Sequence, residues 1–450
     1  MSEPKVAVAK KSTPREGVKE AFKLLGGMEN FVKKGDIVAL KPNVMAIMGQ
    51  PAITDINVIA AVADLCFKAG AKEVRVIESP VCGMFSKHIL REVGYIEALE
   101  DIGAKFYYPE DNDWVYLPVP NGVCLPNISI PKPLAEADVF ITLPKAKTHE
   151  VTQVTLSIKN SHGILPDIDK AKHHRLRKTP EGISSLYEKF ADILAAKSPD
   201  LCVMDMFYAM EGQGPAFGEL VEMGLIIAGA NAVSVDSVTE YIMGFDPMEV
   251  ELTRISHERG LGMADLSKIE LLGEDINKLR RPFKRAIPLP DTNKPQELEV
   301  LRGDSCLGCH MPLRYIIDIC NHFMVKDLKE SPPFAIQVGV DPPEPTVSDF
   351  VLCFGDCAIY SSEKLKHKYR NTNNFVDVSG CPPLGLEWAH SFSQLVGKFS
   401  PSAELIANVL DYQETPESKL PPDFNPHRWW WDSQFALEYR EEINKYKKKL

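Results

Sequence analysis

DIVALKPN, at residues 36–43, is the first of three consecutive segments that decide the fold; NVIAAVADLCFKAGA (57–71) and EVRVIES (73–79) follow it. The first and third segments are short, rich in β-branched residues and hardly alternate between apolar and polar side chains. That pattern predicts strands buried on both faces, as in a parallel sheet. The middle segment is longer and has the apolar spacing of a helix, so a strand, a helix and a second strand are expected in this order.

The same alternation continues through the first 280 residues. Further predicted strands are VAVAK (6–10), AKFYY (104–108), DVFITLPK (138–145), DLCVMDM (200–206), GLIIAGA (224–230) and KIELLGE (268–274). Further helices are predicted near 15–25, near 86–100 and over NAVSVDSVTEYIMG (231–244), which ends on a glycine typical of helix C-caps. The sequence therefore predicts an α/β fold: a mostly parallel sheet with helices on both faces.

Length and local composition indicate more than one domain. The chain has 450 residues, whereas single cores stop growing beyond roughly 250–300 residues. The segment 279–297, LRRPFKRAIPLPDTNKPQE, is basic and proline-rich without periodicity, which predicts a linker. We predict an α/β domain over residues 1–280, a linker over 281–297, and a smaller C-terminal cysteine-bearing metal domain over 298–450 with an aromatic tail, HRWWWDSQF (427–435).

The charge balance limits the classes of partner. A net charge of −11 disfavours binding to nucleic acid or to an anionic membrane, because such binding needs a basic surface. The N-terminus lacks the apolar core of a signal peptide, and the longest apolar run, 58–67, contains Asp64. A cytoplasmic protein is expected, with a small anionic substrate as its partner; an electron-donor protein and a homodimer stay open.

Six of the ten cysteines lie after residue 300, which in a reducing compartment indicates metal or redox chemistry rather than disulfides. The CxxC spacing lets two thiolates reach one metal centre, and glycine turns let a chain wrap an iron–sulfur cluster. The motifs SCLGC, GDCA and GCPP meet these conditions. They predict one [4Fe–4S] cluster with the ligands Cys306, Cys309, Cys357 and Cys381.

Other interpretations of these cysteines stay open. Cys353 lies in an apolar, strand-like run typical of a buried thiol, yet with Cys357 and the CxxC pair it would also complete a tetrahedral zinc site. Cys320 lies in RYIIDICNHF, whose helical apolar spacing predicts a core position. A dithiol redox pair and inert thiols are further alternatives.

Polar groups follow several predicted strands of the first domain. They are Lys41 to Asn43, Glu78 and Ser79, Lys145 to His149, and Asp205. Ligands bind beyond the carboxyl ends of parallel strands, so these groups are expected to converge. A local positive site for carboxylate or phosphate is predicted. Its substrate-binding residues are Lys41, Asn43, Lys145, Lys147 and Asn160. The alternative is that these lysines are separate and solvated.

Four residues are predicted to be catalytic: His149, Lys159, His162 and Glu211. Lys159 follows the strand-like run VTLSI, and His162 precedes a glycine turn. Glu211 lies in the glycine-rich segment MEGQGPAFG (210–218), where an acid–base role and a loop-capping role are both open. Asp236 near the start of a helix is explained by capping or by a buried polar contact.

Several motifs together resemble a known family. KPN, ESP, LPKAKTHEVTQVTLSIKNSHG, MDMFYAMEGQGPAFGE and GANAVSVDSVTEYIMGFDP occur in this order over residues 5–275 or so. They resemble domain of unknown function 362, an uncharacterised family often fused to iron–sulfur modules. The resemblance implies the fold and the cluster but no established reaction. The sparse cysteine motifs differ from the paired CxxCxxC runs of many relatives and favour a single cluster.

A second, fainter similarity is to the N-terminal domain of nickel-pincer lactate racemases. It rests on the order His149, Lys159, His173, and it is an analogy only.

Taken together, the sequence predicts an iron–sulfur oxidoreductase acting on an anionic small organic substrate. One alternative is a redox-silent lyase or isomerase that uses His149 or His162 as a base, with the metal only structural. Another is a non-catalytic metallochaperone or binding protein.

Overall fold

The computed structural model of the protein describes residues 3–81, 85–166, 169–170, 185–323, 328–329, 332–346, 350–362 and 375–383. The described strands are β1 (Lys5–Lys10), β2 (Ile37–Pro42), β3 (Glu73–Val76), β4 (Lys105–Phe106), β5 (Trp114–Pro118), β6 (Asn127–Pro131), β7 (Val139–Leu143), β8 (Lys145–His149), β9 (Gln153–Thr155), β10 (Leu201–Glu211), β11 (Glu219–Gly229), β12 (Glu270–Gly273), β13 (Leu298–Arg302), β14 (Phe334–Val338), β15 (Phe350–Phe354) and β16 (Phe375–Val378). The described helices are α1 (Pro14–Leu24), α2 (Ile56–Ala69), α3 (Ser86–Glu92), α4 (Tyr95–Glu100), α5 (Lys132–Ala135), α6 (Ser157–Asn160), α7 (Ser185–Ala196), α8 (Ala232–Ile242), α9 (Glu251–Glu258), α10 (Ile276–Leu279), α11 (Leu307–Phe323) and α12 (Asp356–Ser361).

The first domain is built on a large, mostly parallel sheet, as predicted. Its strand order in the described chain is β12-β1-β11-β10-β7-β2-β3-β4, and β8 and β9 extend it beside β10. The pairs from β10 through β4 are all parallel, while β11 runs antiparallel to both of its neighbours. Because these strands are parallel, the carboxyl ends of β2, β3, β7 and β10 all lie on the same side of the domain.

The segments that decided the fold form the predicted strand–helix–strand unit. β2 and β3 pair in parallel, and α2 connects them. The Asp55 carboxylate accepts a hydrogen bond from Asn57 N at 2.8 Å and caps the start of α2. Gly70 ends the helix in the left-handed region, with φ of 100°, which a glycine adopts without steric cost.

DVFITLPK was predicted as one strand, but the structure divides it at Pro144. β7 ends at Leu143, and β8 begins at Lys145 and runs alongside β10. Because side chains alternate along a strand, Lys145, Lys147 and His149 share one face of β8. The break thus directs three predicted site residues to the same side.

The strand-like run VTLSI is another correction. Only Gln153–Thr155 forms a strand, and Ser157–Asn160 forms the helical turn α6. The cause is Asp236 of α8, whose carboxylate accepts the N–H groups of Ser157 and Ile158 at 2.8 Å each. This buried carboxylate satisfies the first N–H donors of α6 and holds Lys159 on a helix rather than on a strand.

The predicted helix near 86–100 is two helices, α3 and α4, because Gly94 between them has φ of 77°. The antiparallel pair of β5 and β6 was not predicted. The tail at 427–435, His173, His174 and Cys82 lie outside the described residues.

The C-terminal part contains a second sheet that was not predicted. β13, β14, β15 and β16 pair in parallel in sequence order, and α11 packs its apolar residues on this sheet. Cys320 and Cys353 are fully buried, as predicted from their patterns.

The predicted linker, 281–297, contains no helix or strand, but it is hydrogen-bonded to residues that precede it and residues that follow it. The buried guanidinium of Arg314 on α11 donates to the carbonyl oxygens of Leu289, Thr292 and Asn293. On the other side, Gln213 Oε1 accepts from Ile287 N at 3.0 Å. Within the described part of the chain, no helix combines the length and hydropathy needed to cross a membrane.

Candidate functional site

The centre of the site is a buried ion pair between two neighbouring strand ends. Lys41 lies near the end of β2 and Glu78 just after β3; their side chains are 2% and 3% exposed. Lys41 Nζ lies 2.8 and 3.0 Å from the two carboxylate oxygens. Burial lowers the pKa of Lys41 and raises that of Glu78, and the charge of each partner opposes the shift of the other.

A glycine is required beside this ion pair. A Cβ atom at Gly163 would lie 2.5 Å from Glu78 Oε1 and 2.6 Å from Lys41 Nζ. The Gly163 carbonyl also accepts a hydrogen bond from Ser79 N at 3.1 Å. The glycine that closes the KNSHG motif therefore allows this turn to pack directly on the charged groups.

Asn160 connects the same turn to both central strands. Its Oδ1 accepts from Lys41 Nζ at 3.0 Å and from Asn43 Nδ2 at 3.3 Å. Its Nδ2 donates to Thr142 Oγ1 at 2.8 Å and to Lys41 O at 3.3 Å. These four bonds use the whole capacity of the amide. Asn160 therefore holds the turn against β2 and β7, and its substrate-binding role stays a prediction.

Lys145 forms a second buried ion pair, with Asp205 of β10. Lys145 Nζ lies 2.9 Å from Asp205 Oδ2, both side chains are 0% exposed, and Gln50 Oε1 is a further acceptor for the ammonium. Asp205 Oδ2 also accepts from Asp55 N at 2.6 Å and so fixes the start of α2. Lys145 and Lys41 both lie in the predicted place, but their ammonium groups are already paired within the protein, which argues against the direct substrate contact predicted for them.

Lys147 differs from these two lysines. It is fully buried on β8, and its Nζ donates to Ala52 O at 2.7 Å and lies 3.7 Å from Met45 Sδ. Among the described residues, no carboxylate oxygen lies within ion-pair distance of it. Burial, with the charges of Lys159 and Lys145, lowers its pKa to about 7.

Lys159 is the fourth member of what we call the lysine cluster: Lys41, Lys145, Lys147 and Lys159. Its side chain is half-buried, and its ammonium lies over the Phe190 ring, 5.3 Å from the centroid. Burial lowers its pKa to about 8; the Glu150 charge opposes this shift and the Lys41 charge adds to it. Lys159 therefore titrates close to neutral pH, as a catalytic amine does.

His149 ends β8 and is buried beside Glu150. Its Nδ1 accepts a hydrogen bond from Val151 N at 3.0 Å, so the neutral ring carries its proton on Nε2. Glu150 Oε2 lies 3.4 Å from the same Nδ1. Burial raises the pKa of Glu150 to about 8; the Lys159 charge opposes the shift, and Asp318 of α11 adds to it. This pair of side chains offers a proton-exchange group next to the lysine cluster.

Two other predicted catalytic residues have different surroundings. His162 is buried in a turn after α6, with its ring 5.1 Å from that of Phe190, so it shares a neighbour with Lys159. Glu211 forms a two-pronged ion pair with Arg281, at 2.7 and 3.0 Å, and accepts from Lys284 N at 3.1 Å. The Arg281 hydrogen bonds lower the pKa of Glu211. Glu211 therefore anchors the linker, and its predicted acid–base role has no support in this geometry.

The four predicted cluster cysteines, called the cysteine set below, follow carboxyl ends of strands in the second sheet. Cys306 comes after β13, Cys357 after β15 and Cys381 after β16, while Cys309 lies in the first turn of α11. Burial, together with the neighbouring thiols of Cys306, Cys381 and Cys357, raises the pKa of Cys309. The structure thus brings the four residues to one neighbourhood.

The loops that carry these thiols are fixed to one another. Asp356 N donates to Gly380 O at 3.0 Å, and Gly380 N donates back to Asp356 Oδ1 at 2.7 Å. A Cβ atom at Gly355, where φ is 87°, would lie 3.0 Å from Cys309 Sγ. In the part of the chain that the structure describes, no group of three or more His, Cys, Asp or Glu side chains is arranged to hold a metal ion.

Comparisons with known proteins place the chain in a family. The sequence pattern described as Domain of unknown function (DUF362) matches residues 38–239. A thylakoid-associated protein of Synechocystis sp. is 31% identical over 245 residues, covering 53% of this chain and 72% of that protein. The chain belongs to the DUF362 family. The resemblance inferred from motifs is confirmed, and the DUF362 match contains the whole lysine cluster but none of the cysteine set.

Two solved structures show remote similarity to this DUF362 protein. The lactate racemase apoprotein from Thermoanaerobacterium thermosaccharolyticum has 11% identity and a TM-score of 0.35, over 54% of this chain and 57% of that one. A Thermotoga maritima protein has 12% identity and a TM-score of 0.31, over 65% and 64%. The chain spans less than two thirds of either protein, and similarity at this level carries no argument about function.

Some functional groups were missed by sequence reasoning. Glu150 was overlooked, although it directly follows His149 in the KTHE motif. Gln50 and Lys170 have no sequence signal of their own; Lys170 is 3% exposed, and its Nζ donates to Ser79 Oγ at 2.6 Å. Asp236 was assigned a buried contact, but its target, the start of α6, is visible only in three dimensions.

Proposed function

We propose that this DUF362 protein is an enzyme that binds a small organic anion, a carboxylate or a phosphate, at the lysine cluster. One observation carries the proposal. Lys41 and Lys145 are each paired with a buried carboxylate, whereas Lys147 and Lys159 have no carboxylate oxygen within 4 Å among the described residues. Lys147 and Lys159 thus have no ion-pair partner among the described residues. They lie near the carboxyl ends of the parallel strands, where folds of this kind bind ligands.

The electrostatic setting favours an anion of this kind. An anionic group about 4 Å from one ammonium gains roughly 4 kcal/mol at an effective dielectric constant near 20. Its charge would also raise the lowered pKa of the lysine that binds it and keep that amine protonated. Asn43 Oδ1 is a buried acceptor with no donor among the described residues, and it offers a place for a substrate hydroxyl or amine.

We propose a [4Fe–4S] cluster with Cys306, Cys309, Cys357 and Cys381 as its ligands. Support comes from the shared neighbourhood of the four thiols and from Gly355, whose missing side chain lets its turn approach Cys309 Sγ closely. A cluster binds each thiolate to a different iron, so it needs a shared face rather than one central ion. A bound cluster would supply one-electron transfer or a Lewis acid.

With both sites in one chain, an iron–sulfur oxidoreductase acting on a small organic anion is the leading proposal. It requires an electron-donor protein as a partner. A redox-silent lyase or isomerase is the second candidate, because Lys159 and Glu150 both have pKa values of about 8 and can exchange protons near neutral pH.

Anion binding can be tested by calorimetry with pyruvate, propionate and inorganic phosphate. Lys147→Met and Lys159→Met are expected to weaken binding by about tenfold each. The matched control is Lys197→Met, since Lys197 also lies over a phenylalanine ring, 5.9 Å from the Phe140 centroid, but near the amino end of β7. Equal affinity in all three variants would contradict the anion site.

The cluster is tested separately, by iron, sulfide and zinc analysis of anaerobically purified protein. Iron and sulfide in equal amounts are expected. Protein that is free of iron and contains stoichiometric zinc would overturn the cluster and favour the redox-silent candidate.

A further inference from the structure

Lys159 has surroundings that the other members of the lysine cluster lack. Lys41 and Lys145 are held in ion pairs, and Lys147 donates to a backbone carbonyl. Lys159 Nζ makes no hydrogen bond or ion pair with any described residue; it lies over the face of the Phe190 ring, 5.3 Å from the centroid. The Lys159 side chain is also half-buried, whereas the other three lysines are fully buried.

The backbone around Lys159 is held rigidly. Asp236 caps α6 with two hydrogen bonds of 2.8 Å, and Asn160 ties the same turn to β2 and β7. The base of the Lys159 side chain therefore has a fixed position relative to β2 and β7, and the Phe190 ring limits where its amine lies. A nucleophile needs that fixed position to meet a bound substrate at reacting distance.

We propose that Lys159 is a nucleophilic amine that forms a Schiff base with a small 2-oxo acid whose carboxylate is bound by Lys147. The proposal deepens the proposed anion site and rests on it. A lysine next to other cationic groups and against an apolar surface is the setting in which amines are activated. With a pKa of about 8, the neutral amine fraction of Lys159 at pH 7 is about 300-fold larger than that of an ordinary lysine.

The chemistry needs no oxidant and no further reactant. The lone pair of neutral Lys159 Nζ forms a bond to the carbonyl carbon, and the carbonyl π electrons move to oxygen, which takes a proton from the Glu150 carboxyl group. The nitrogen of the adduct then returns a proton to the Glu150 carboxylate, and Glu150 passes this proton to the carbinolamine hydroxyl group, which leaves as water. The product is the iminium, and the sum of the reaction is neutral amine, protonated Glu150 and ketone giving iminium, Glu150 carboxylate and water.

Borohydride trapping tests this step directly. The full-length protein is incubated with pyruvate or glyoxylate at pH 7.5, reduced with sodium borohydride, and measured by intact mass spectrometry. With pyruvate, reduction adds the mass of pyruvate less one oxygen atom, because one water leaves and two hydrogens enter. Peptide mapping of the wild-type protein is expected to place the single adduct on Lys159.

Three variants sharpen the test. Lys159→Met should lower trapping by at least about tenfold, Lys147→Met should shift the half-saturating pyruvate concentration upwards by about tenfold, and Lys197→Met should change neither. Circular dichroism spectra confirm that each variant is folded. An adduct spread over surface lysines, or one that persists in folded Lys159→Met, would overturn the proposal.

The anion site and the Schiff base can fail separately. If pyruvate and propionate both bind but borohydride traps nothing, the Schiff base is wrong and the anion site stands. If neither acid nor phosphate binds, both the anion site and the Schiff base are wrong.

Discussion

Glu78→Gln is expected to destabilise the protein by about 3–5 kcal/mol, because it leaves the Lys41 ammonium buried without its counter-ion. The structure indicates a value in this range. The two side chains are only 2% and 3% exposed, and water cannot replace the lost carboxylate. Glu78 also accepts from Val44 N at 2.9 Å, so the glutamine amide has to serve two donors with one oxygen.

The measurement is urea unfolding followed by circular dichroism, with Glu219→Gln as the matched control. Glu219 pairs with Lys284 at the surface, where the two side chains are 66% and 59% exposed. The same chemical change there is expected to cost less than about 1 kcal/mol. If both variants lose the same amount of stability, the Lys41–Glu78 pair is not the structural centre of the site.

A double variant separates charge burial from shape. Lys41→Met with Glu78→Leu removes both charges and keeps apolar volume, so it should be more stable than Glu78→Gln alone. Full recovery is not expected, because Pro42 O and Asn160 Oδ1 each lose the Lys41 donor, at a cost of about 1 kcal/mol per bond. A double variant less stable than Glu78→Gln would refute the charge-burial explanation.

Three further predictions concern other parts of the chain. Burial raises the pKa of Glu150 to about 8, so the native state keeps a proton that the unfolded chain releases near the usual pKa of 4.5. The free energy of unfolding should therefore fall by more than about 1.4 kcal/mol as the pH rises from about 4.5 to 8. Glu150→Gln should remove this decline, which urea titrations at pH 5 and pH 8.5 would measure. Cys357→Ser should lower the iron content of anaerobically purified protein, whereas Cys320→Ser should leave it unchanged, since Cys320 is a core residue of α11; equal iron loss in both would show an unfolding effect instead. Glu211→Gln should cost about 1–3 kcal/mol by breaking its ion pair with Arg281 but leave pyruvate binding unchanged, and a loss of binding would restore its predicted catalytic role.

The position of the site was predictable because it depends on a local signal. Buried parallel strands lack alternation, so DIVALKPN and DVFITLPK were recognisable, and the rule that ligands bind beyond their carboxyl ends then selected the polar residues that follow. The second sheet had the same kind of signal in FAIQV (334–338) and FVLCF (350–354), but the cysteine motifs drew the interpretation towards metal chemistry.

The division of roles among the lysines was not predictable. Lys41, Lys145 and Lys147 look alike in sequence, and only the buried carboxylates Glu78 and Asp205 distinguish the first two from the third. Those partners lie 37 and 60 residues away in the chain. A single sequence contains no information on which carboxylate meets which lysine, so it could indicate a positive site but not the uncompensated charge within it.

The two sites are connected by α11. Its first turn carries Cys309, and five to nine residues later, roughly 8–14 Å along the helix, Arg314 and Asp318 act on the charge of Glu150. Arg314 also donates to Thr292 O of the linker, so the residue that acts on the charge of Glu150 is held in place by the linker. A change in charge at the cysteine set is therefore expected to alter the proton affinity of Glu150 even if no electron reaches the substrate. For that reason, borohydride trapping should be compared between anaerobic and air-exposed protein. An oxidoreductase and a redox-silent lyase differ in whether electrons reach the bound substrate. Coupling through α11 predicts, for both, that the pH dependence of trapping changes between the two preparations.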